Sequence, residues 1–268
     1  MNKFRTAVLA VSLMVASVSN ATVSNCRAAG NTEELRYSWR LRGGIRWIAG
    51  LLFPTSGVGN LTTVYPTAGS TTSSIHSELL ITAPNGKQGG FYAYESDMDD
   101  ASDRTLMTYH GYAWGKKSRS ERTLFDYVKR LARIHKKTPD EDENRVKALP
   151  PATNDFRDIL TAIHYLREHA GTIRGPIRTT IYSDGKEYPV IFRPTGERRP
   201  FVIDGHPTMA TALEIVGADG GKRKWDGGVK VWLSDDARRL PFRIEIQESI
   251  ASMQLDLQSI EACALPRA

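Results

Sequence analysis

Cysteine is nearly absent: the 268 residues hold two, Cys26 and Cys263. So few thiols exclude a disulfide-dense scaffold, and the lack of a C-x-x-C pair excludes the usual redox and zinc-ribbon motifs. The chain also has no G-x-S-x-G elbow, no H-E-x-x-H helix and no Walker loop, so the common hydrolase, metalloprotease and nucleotide signatures are missing. The histidines at 76, 110, 135, 164, 169 and 206 are scattered. His164 and His169 stand five residues apart, a spacing that turns them to different sides of a helix and away from one metal. The stretch ESDMDDASD (95–103) sets Asp97 and Asp99 at a calcium-loop offset. Ala101 then replaces the next ligand and no glutamate closes the loop, so a solvated turn is the expected reading. No catalytic residue, metal site or cofactor is expected.

Charge of one sign is modest. The formal net charge is +6, and removing the first 21 residues, whose only charges are Lys3 and Arg5, leaves 6 − 2 = +4. That balance does not suggest a nucleic-acid partner. Beyond the N-terminus no apolar run is long enough to span a bilayer.

What is present begins with MNKFRTAVLAVSLMVASVSNA. A short basic start precedes an apolar run from Ala7 to Val18, and Ser19 and Ala21 supply small residues for a cut after Ala21. This is the pattern of a secretory signal peptide, and its apolar run is shorter than the roughly 20 residues of a spanning helix. The expected organisation is a signal peptide over 1–21, a loose lead-in over 22–34 and one β-rich domain over 35–268, periplasmic or secreted. In an oxidising compartment Cys26 and Cys263 can close almost the whole chain in one disulfide, a loop-entropy gain of about 4–5 kcal/mol. Lipidation at Cys26 is the lesser alternative, since Asn25 fits a lipobox poorly; free thiols remain a third.

Most of the chain alternates apolar and polar residues at period two, the signal of half-buried strands. SELLITA (77–83), GGFYAYES (89–96), RTLMTYHGYAW (104–114), PIRTTIYSDGKEYPVIF (176–192), RPFVIDG (199–205), TALEIVGAD (211–219) and KVWLSD (230–235) read as strands, the Asp184-Gly185 pair as a hairpin turn. Residues 121–136 read equally as a helix or as two strands. TPDEDENRVKALPPATN (138–154) reads as a charged loop. NDFRDILTAIHYLREHAG (154–171) is the clear helix, with Asn154 or Asp155 as its cap and Phe156, Ile159, Leu160, Ile163 and Leu166 as its apolar stripe. Asp204-Gly205-His206-Pro207 reads as a turn. So does the charged knot Ser234, Asp235, Asp236, Arg238 and Arg239, which sits where two alternating strands must reverse and meet water.

Several landmarks, in order, resemble a family of exported bacterial proteins catalogued as domain of unknown function 3108. They are SELLIT, YAYES, GKKSRSERTLFDY, DFRDILTAIHYLR, SDGKEYPV, IDGHPTMATALEIV and VWLSDDARRLPFRIEI. The resemblance spans most of residues 35–257. It implies a mainly β fold: a curved antiparallel sheet, an open or half barrel, with one main helix on its concave face. That shape is similar to the half barrel of periplasmic lipoprotein carriers, and it supports strands over 121–136. The family brings no catalytic residues.

A curved sheet that its helix does not fill leaves a cleft. Tyr92, Tyr94, Tyr109, Tyr112 and Trp114 are the candidates for that groove, with core packing as the plainer alternative. Lys116, Lys117, Arg119 and Arg122 are candidates for a basic rim that orients an anionic head. The expected function is a non-enzymatic envelope protein binding an apolar or lipid-like ligand. The alternatives are a structural or assembly factor holding an envelope protein partner, and an unrecognised hydrolase.

Overall fold

Period-two alternation builds the wall of the molecule. In β1 (Thr32–Arg42) Glu33, Leu35, Tyr37 and Trp39 are buried while Glu34, Arg36, Ser38 and Arg40 face water. In β3 (Ser74–Thr82) Ile75, Ser77, Leu79 and Ile81 are buried in the same way. Successive Cβ atoms on a strand point to opposite faces, so each strand turns one row of side chains inward. The computed structural model describes residues 32–43, 55–67, 73–83, 90–149, 156–183, 185–218, 225, 227–247 and 252–264.

The first meander runs through β1, β2 (Ser56–Val64), β3, β4 (Gly90–Asp99), β5 (Thr105–Trp114), β6 (Lys117–Asp126), β7 (Leu131–Lys137) and β8 (Asp142–Ala148). A two-residue strand, β9 (Phe156–Arg157), then leads into the helix α1 (Ile159–His169). The second meander is β10 (Ile177–Ser183), β11 (Lys186–Ile203), β12 (His206–Gly217), β13 (Gly228–Ser234), β14 (Pro241–Gln247) and β15 (Ser252–Ala264). All fifteen strands lie in one sheet, ordered from β8 back to β1, then from β15 back to β9. Every described pairing is antiparallel except the short parallel β9–β10 pair. The two meanders join where β15 pairs with β1.

The sheet curls until its ends approach. Phe125 of β6 stacks on Phe156 of β9 with ring centroids 5.6 Å apart and meets Tyr182 of β10 edge-on at 4.9 Å. Lys147 of β8 reaches Glu187 of β11 at 2.9 Å. Among the described residues no strand pairing links β8 to β9, so side chains alone close this seam.

The helix lies inside the curl. Leu160, Ile163 and Leu166 join Leu35, Ile81, Phe192, Val231 and Phe242 in the main core. Its polar side is buried too, and Thr161 and Arg167 there are both partnered. Thr161 Oγ1 lies 2.8 Å from Thr105 Oγ1. Arg167 donates two hydrogen bonds to the Glu33 carboxylate, at 2.7 and 3.0 Å. Burial alone would lower the Arg167 pKa, but Glu33 outweighs that and holds the guanidinium charged.

The expected curved sheet with an internal helix is therefore the observed fold, with local corrections. The helix begins at Ile159, and its cap is Asp158, not Asn154 or Asp155. Asp158 forms a capping box with Thr161, and Phe156 belongs to β9. Residues 121–136 are strands β6 and β7, reversed by a turn in which Arg130 has φ 55°. The charged 142–148 stretch is strand β8 and not a loop, because an outer strand exposed on both faces needs no apolar alternation. β1 starts at Thr32, inside the expected lead-in. PVIF and RPFVI belong to one strand, β11, with an irregular register between Pro194 and Arg198.

Turn chemistry follows the expectation. Gly185 has φ 68° in the β10–β11 hairpin, and Asp204 and Gly205 have φ 49° and 78° between β11 and β12. The charged knot closes on itself. Asp236 accepts from Arg238 Nε at 2.9 Å and from Ser234 Oγ at 2.7 Å, and Ser234 Oγ accepts from Leu240 N at 2.8 Å. Burial would raise the Asp236 pKa, yet the Arg238 and Ser234 hydrogen bonds win and hold it below the usual value.

Candidate functional site

The inner face of the first meander carries a polar phase beside the core. On β4 that phase is Tyr92, Tyr94 and Ser96; on β5 it is Tyr112, His110 and Thr108, paired with them in register. On β6 it continues as Arg119, Glu121 and Thr123. The start of α1 and the end of β10 cover this surface incompletely. Between them lies a cavity of about 280 Å³ bordered by Tyr94, His110, Tyr112, Glu121, Asp158 and Tyr182, among others.

Asp158 anchors one wall. Its carboxylate accepts from Thr161 N at 2.8 Å and from the Ser96 hydroxyl, and its own N–H donates to Thr105 Oγ1 at 3.1 Å. Burial pushes its pKa up, against the pull of those hydrogen bonds. These bonds make Asp158 a hinge between β4, β5 and the helix, which fixes the floor of the cavity.

The opposite wall is less satisfied. Glu121 is 2% exposed, with Arg119 Nη2 3.6 Å and Arg145 Nη2 4.0 Å from its Oε2. Both distances are too long for a hydrogen bond, and Oε2 has no hydrogen-bond partner among the described residues. The same holds for Thr123 Oγ1 and Tyr182 Oη. Thr123 lies close enough to Tyr182 to oppose the rise of its pKa, but burial dominates and takes it to about 12. Gly185 seals this end: a Cβ there would meet Arg145 Nη2 at 3.1 Å and Glu121 Oε1 at 3.4 Å.

The structure divides the residues expected in the groove. Tyr94 and Tyr112 border the cavity. Tyr92 faces the same way, half-exposed, its ring 6.0 Å from that of Tyr112. Burial first, and Tyr112 second, raise its pKa. Tyr109 also borders the cavity, but the register sets its ring on the outer face. There it covers Gly111, where a Cβ would meet its Oη at 2.5 Å, and lies under Arg122 at 5.5 Å. Trp114 ends β5, and its side chain is outside the described residues. The expected basic rim is split likewise. Lys116 and Lys117 are exposed around the β5–β6 turn, Arg122 is on the outer face with Glu95 at 3.4 Å, and Arg119 alone of the four borders the cavity. Cys26 lies outside the described residues, and of Cys263 only the backbone in β15 is described.

Sequence reasoning missed Glu121, Thr123, Asp158 and Tyr182. The signal for Glu121 and Thr123 was available: they occupy the same phase as Phe125, the apolar row of β6. Tyr182 and Asp158 had none, because only the tertiary fold carries β10 and the helix start to β6. Among the described residues no group of His, Cys, Asp and Glu could hold a metal ion, and no helix is long and apolar enough to cross a membrane.

A family model described as "Protein of unknown function (DUF3108)" matches residues 67–258, well over half of the chain, and the chain belongs to that family. A solved structure, the beta-barrel-like protein of domain of unknown function DUF1849 from Brucella abortus, is similar in fold. It shares 9% identity with a TM-score of 0.58, covering 89% of this chain and 100% of that one. No curated protein matches.

Proposed function

We propose that this member of the DUF3108 family is an exported, non-catalytic binding protein that holds a small amphipathic molecule in the cavity between α1 and strands β4–β6. One observation carries the reading: a barrel-like interior otherwise packed by its helix keeps a cavity of about 280 Å³ with both aromatic and polar walls. Specific small-molecule sites combine apolar walls with a few fixed polar groups in this way. Apolar contact on Tyr94 and Tyr112 supplies the driving force, about 25 cal/mol per Å² removed from water. The half-exposed Tyr92–Tyr112 pair suits the apolar end of such a ligand. The signal-peptide pattern over 1–21 supports export.

Native mass spectrometry of the protein purified from its own host is expected to show a bound small amphiphile. Tyr112→Ala, which removes one wall, is expected to lose it. Repeatedly clean protein that also takes up no fluorescent fatty acid would refute the proposal.

A second reading has its own observation. β8 is the outer strand of the sheet, its Val146 is 63% exposed, and its outer edge, which pairs with no other strand among the described residues, suits strand addition by an envelope protein partner. Cross-linking from residue 146 in cells would then capture one dominant neighbour, and proline at that position would abolish the capture.

A further inference from the structure

We infer that the cavity receives a polyhydroxylated ring, a sugar unit either free or as the head of a glycolipid. The inference rests on the ligand-binding reading above and names its ligand class. Three residues that border the cavity, Glu121, Thr123 and Tyr182, carry buried polar atoms and are 2%, 1% and 2% exposed. Glu121 Oε2, Thr123 Oγ1 and Tyr182 Oη make no hydrogen bond of good geometry among the described residues, although Thr123 and Tyr182 lie near each other. A buried polar group left bare costs about 1–3 kcal/mol, so three beside one cavity call for a partner the fold does not supply.

Their chemistry narrows that partner. An ionised carboxylate only accepts, whereas the phenol and the hydroxyl both donate and accept. A ligand that satisfies all three must donate to Glu121 and can exchange both roles with Thr123 and Tyr182. An acyl chain does neither. A carboxylate or a fully ionised phosphate cannot donate, and any anion sets like charge against Glu121. An ammonium donates, but Arg119 and Arg145, 3.6 and 4.0 Å from the carboxylate, already balance its charge and would repel a further cation. Neutral hydroxyls satisfy every condition, and the rings of Tyr94 and Tyr112 suit the C–H faces of a sugar. Size agrees. At about 30 Å³ per water, a cavity of about 280 Å³ equals some nine waters, enough for one sugar ring and too little for a lipid tail folded inside.

The test uses the full chain, titrated by calorimetry with methyl glycosides of glucose, galactose, mannose and N-acetylglucosamine, with octyl glucoside below its micelle threshold, and with octanoate. At least one glycoside is expected to bind, and octanoate is expected not to displace it. Equal affinity for methyl and octyl glucosides assigns a free sugar; octyl binding at least tenfold tighter assigns a glycolipid. Tyr182→Phe and Thr123→Val are each expected to weaken glycoside binding by about three- to tenfold. Neither is expected to lower the urea midpoint of the ligand-free protein, because each removes an unsatisfied group. Binding of octanoate or a fluorescent fatty acid with no glycoside bound overturns the sugar inference and leaves the cavity reading standing. Binding of none of these probes overturns both. A lowered midpoint in both variants would show that the hydroxyls hold the fold, and would overturn the inference as well.

Discussion

Replacing Glu33 by glutamine keeps the shape of the side chain but removes its charge and one of its two acceptor oxygens. The carboxylate accepts hydrogen bonds of 2.7 and 3.0 Å from Arg167, and the two residues are 3% and 6% exposed. Arg167 Nη2 also donates to the Arg238 carbonyl at 3.4 Å, and the neighbouring Tyr37 hydroxyl donates to the Pro241 carbonyl at 2.8 Å. The pair thus pins the last turn of α1 to β1 and to the β13–β14 loop. In Glu33→Gln the guanidinium stays buried without its counter-charge, which costs about 3–5 kcal/mol. Set against a total stability of about 5–15 kcal/mol, that is a third or more of what holds many domains folded. Removing both charges together, as Glu33→Leu with Arg167→Met, is expected to come within about 2 kcal/mol of the parent, since the desolvation cost disappears with the attraction. Urea unfolding followed by circular dichroism and by the fluorescence of buried Trp39 measures both. A single variant within about 1 kcal/mol of the parent, or a double variant worse than the single, would refute the account of the helix as pinned by this pair.

Three further outcomes follow from other sites. Asp158 has a raised folded-state pKa, so the folded protein binds its proton more tightly than the unfolded chain. Its contribution is full below the unfolded value and is lost as pH rises through the raised one. Asp158→Asn is expected to flatten that part of the urea-midpoint profile, whereas Asp236→Asn, at a lowered group, is expected to remove stability that is present above the unfolded value and fades as pH falls. At Gly57 an added Cβ would meet the Thr82 carbonyl at 2.1 Å and Trp39 Nε1 at 2.5 Å, breaking the 2.9 Å bond between those two atoms. Gly57→Ala is expected to cost about 1–3 kcal/mol, read from thermal melts, with a red shift of Trp39 emission.

Period two fixed the character of most strands in advance, because side-chain alternation is local and survives any arrangement of the sheet. The turns at Gly185 and at Asp204-Gly205 were legible for the same reason: positive φ is a property of a few residue types. β8 was not legible. An edge strand exposed on both faces needs no apolar row, so DENRVKA carries the composition of a loop. The helix cap was missed because Asp158 owes its choice over Asp155 partly to Ser96, a residue 62 positions away.

The candidate site divides along the same line. Tyr109 and Tyr112 are an odd number of residues apart on one strand, so they point to opposite faces, and the expectation that both line one groove overlooked this alternation. Glu121 and Thr123 share the phase of Phe125 on β6, a signal that a reading of 121–136 as either helix or strands could not use. Only the tertiary structure decided that Tyr182 and the helix start come to that row and leave a cavity there. Alternation tells which way a side chain points, but what it meets depends on how far the sheet curls, and that is set by packing summed over the whole sheet and the helix inside it.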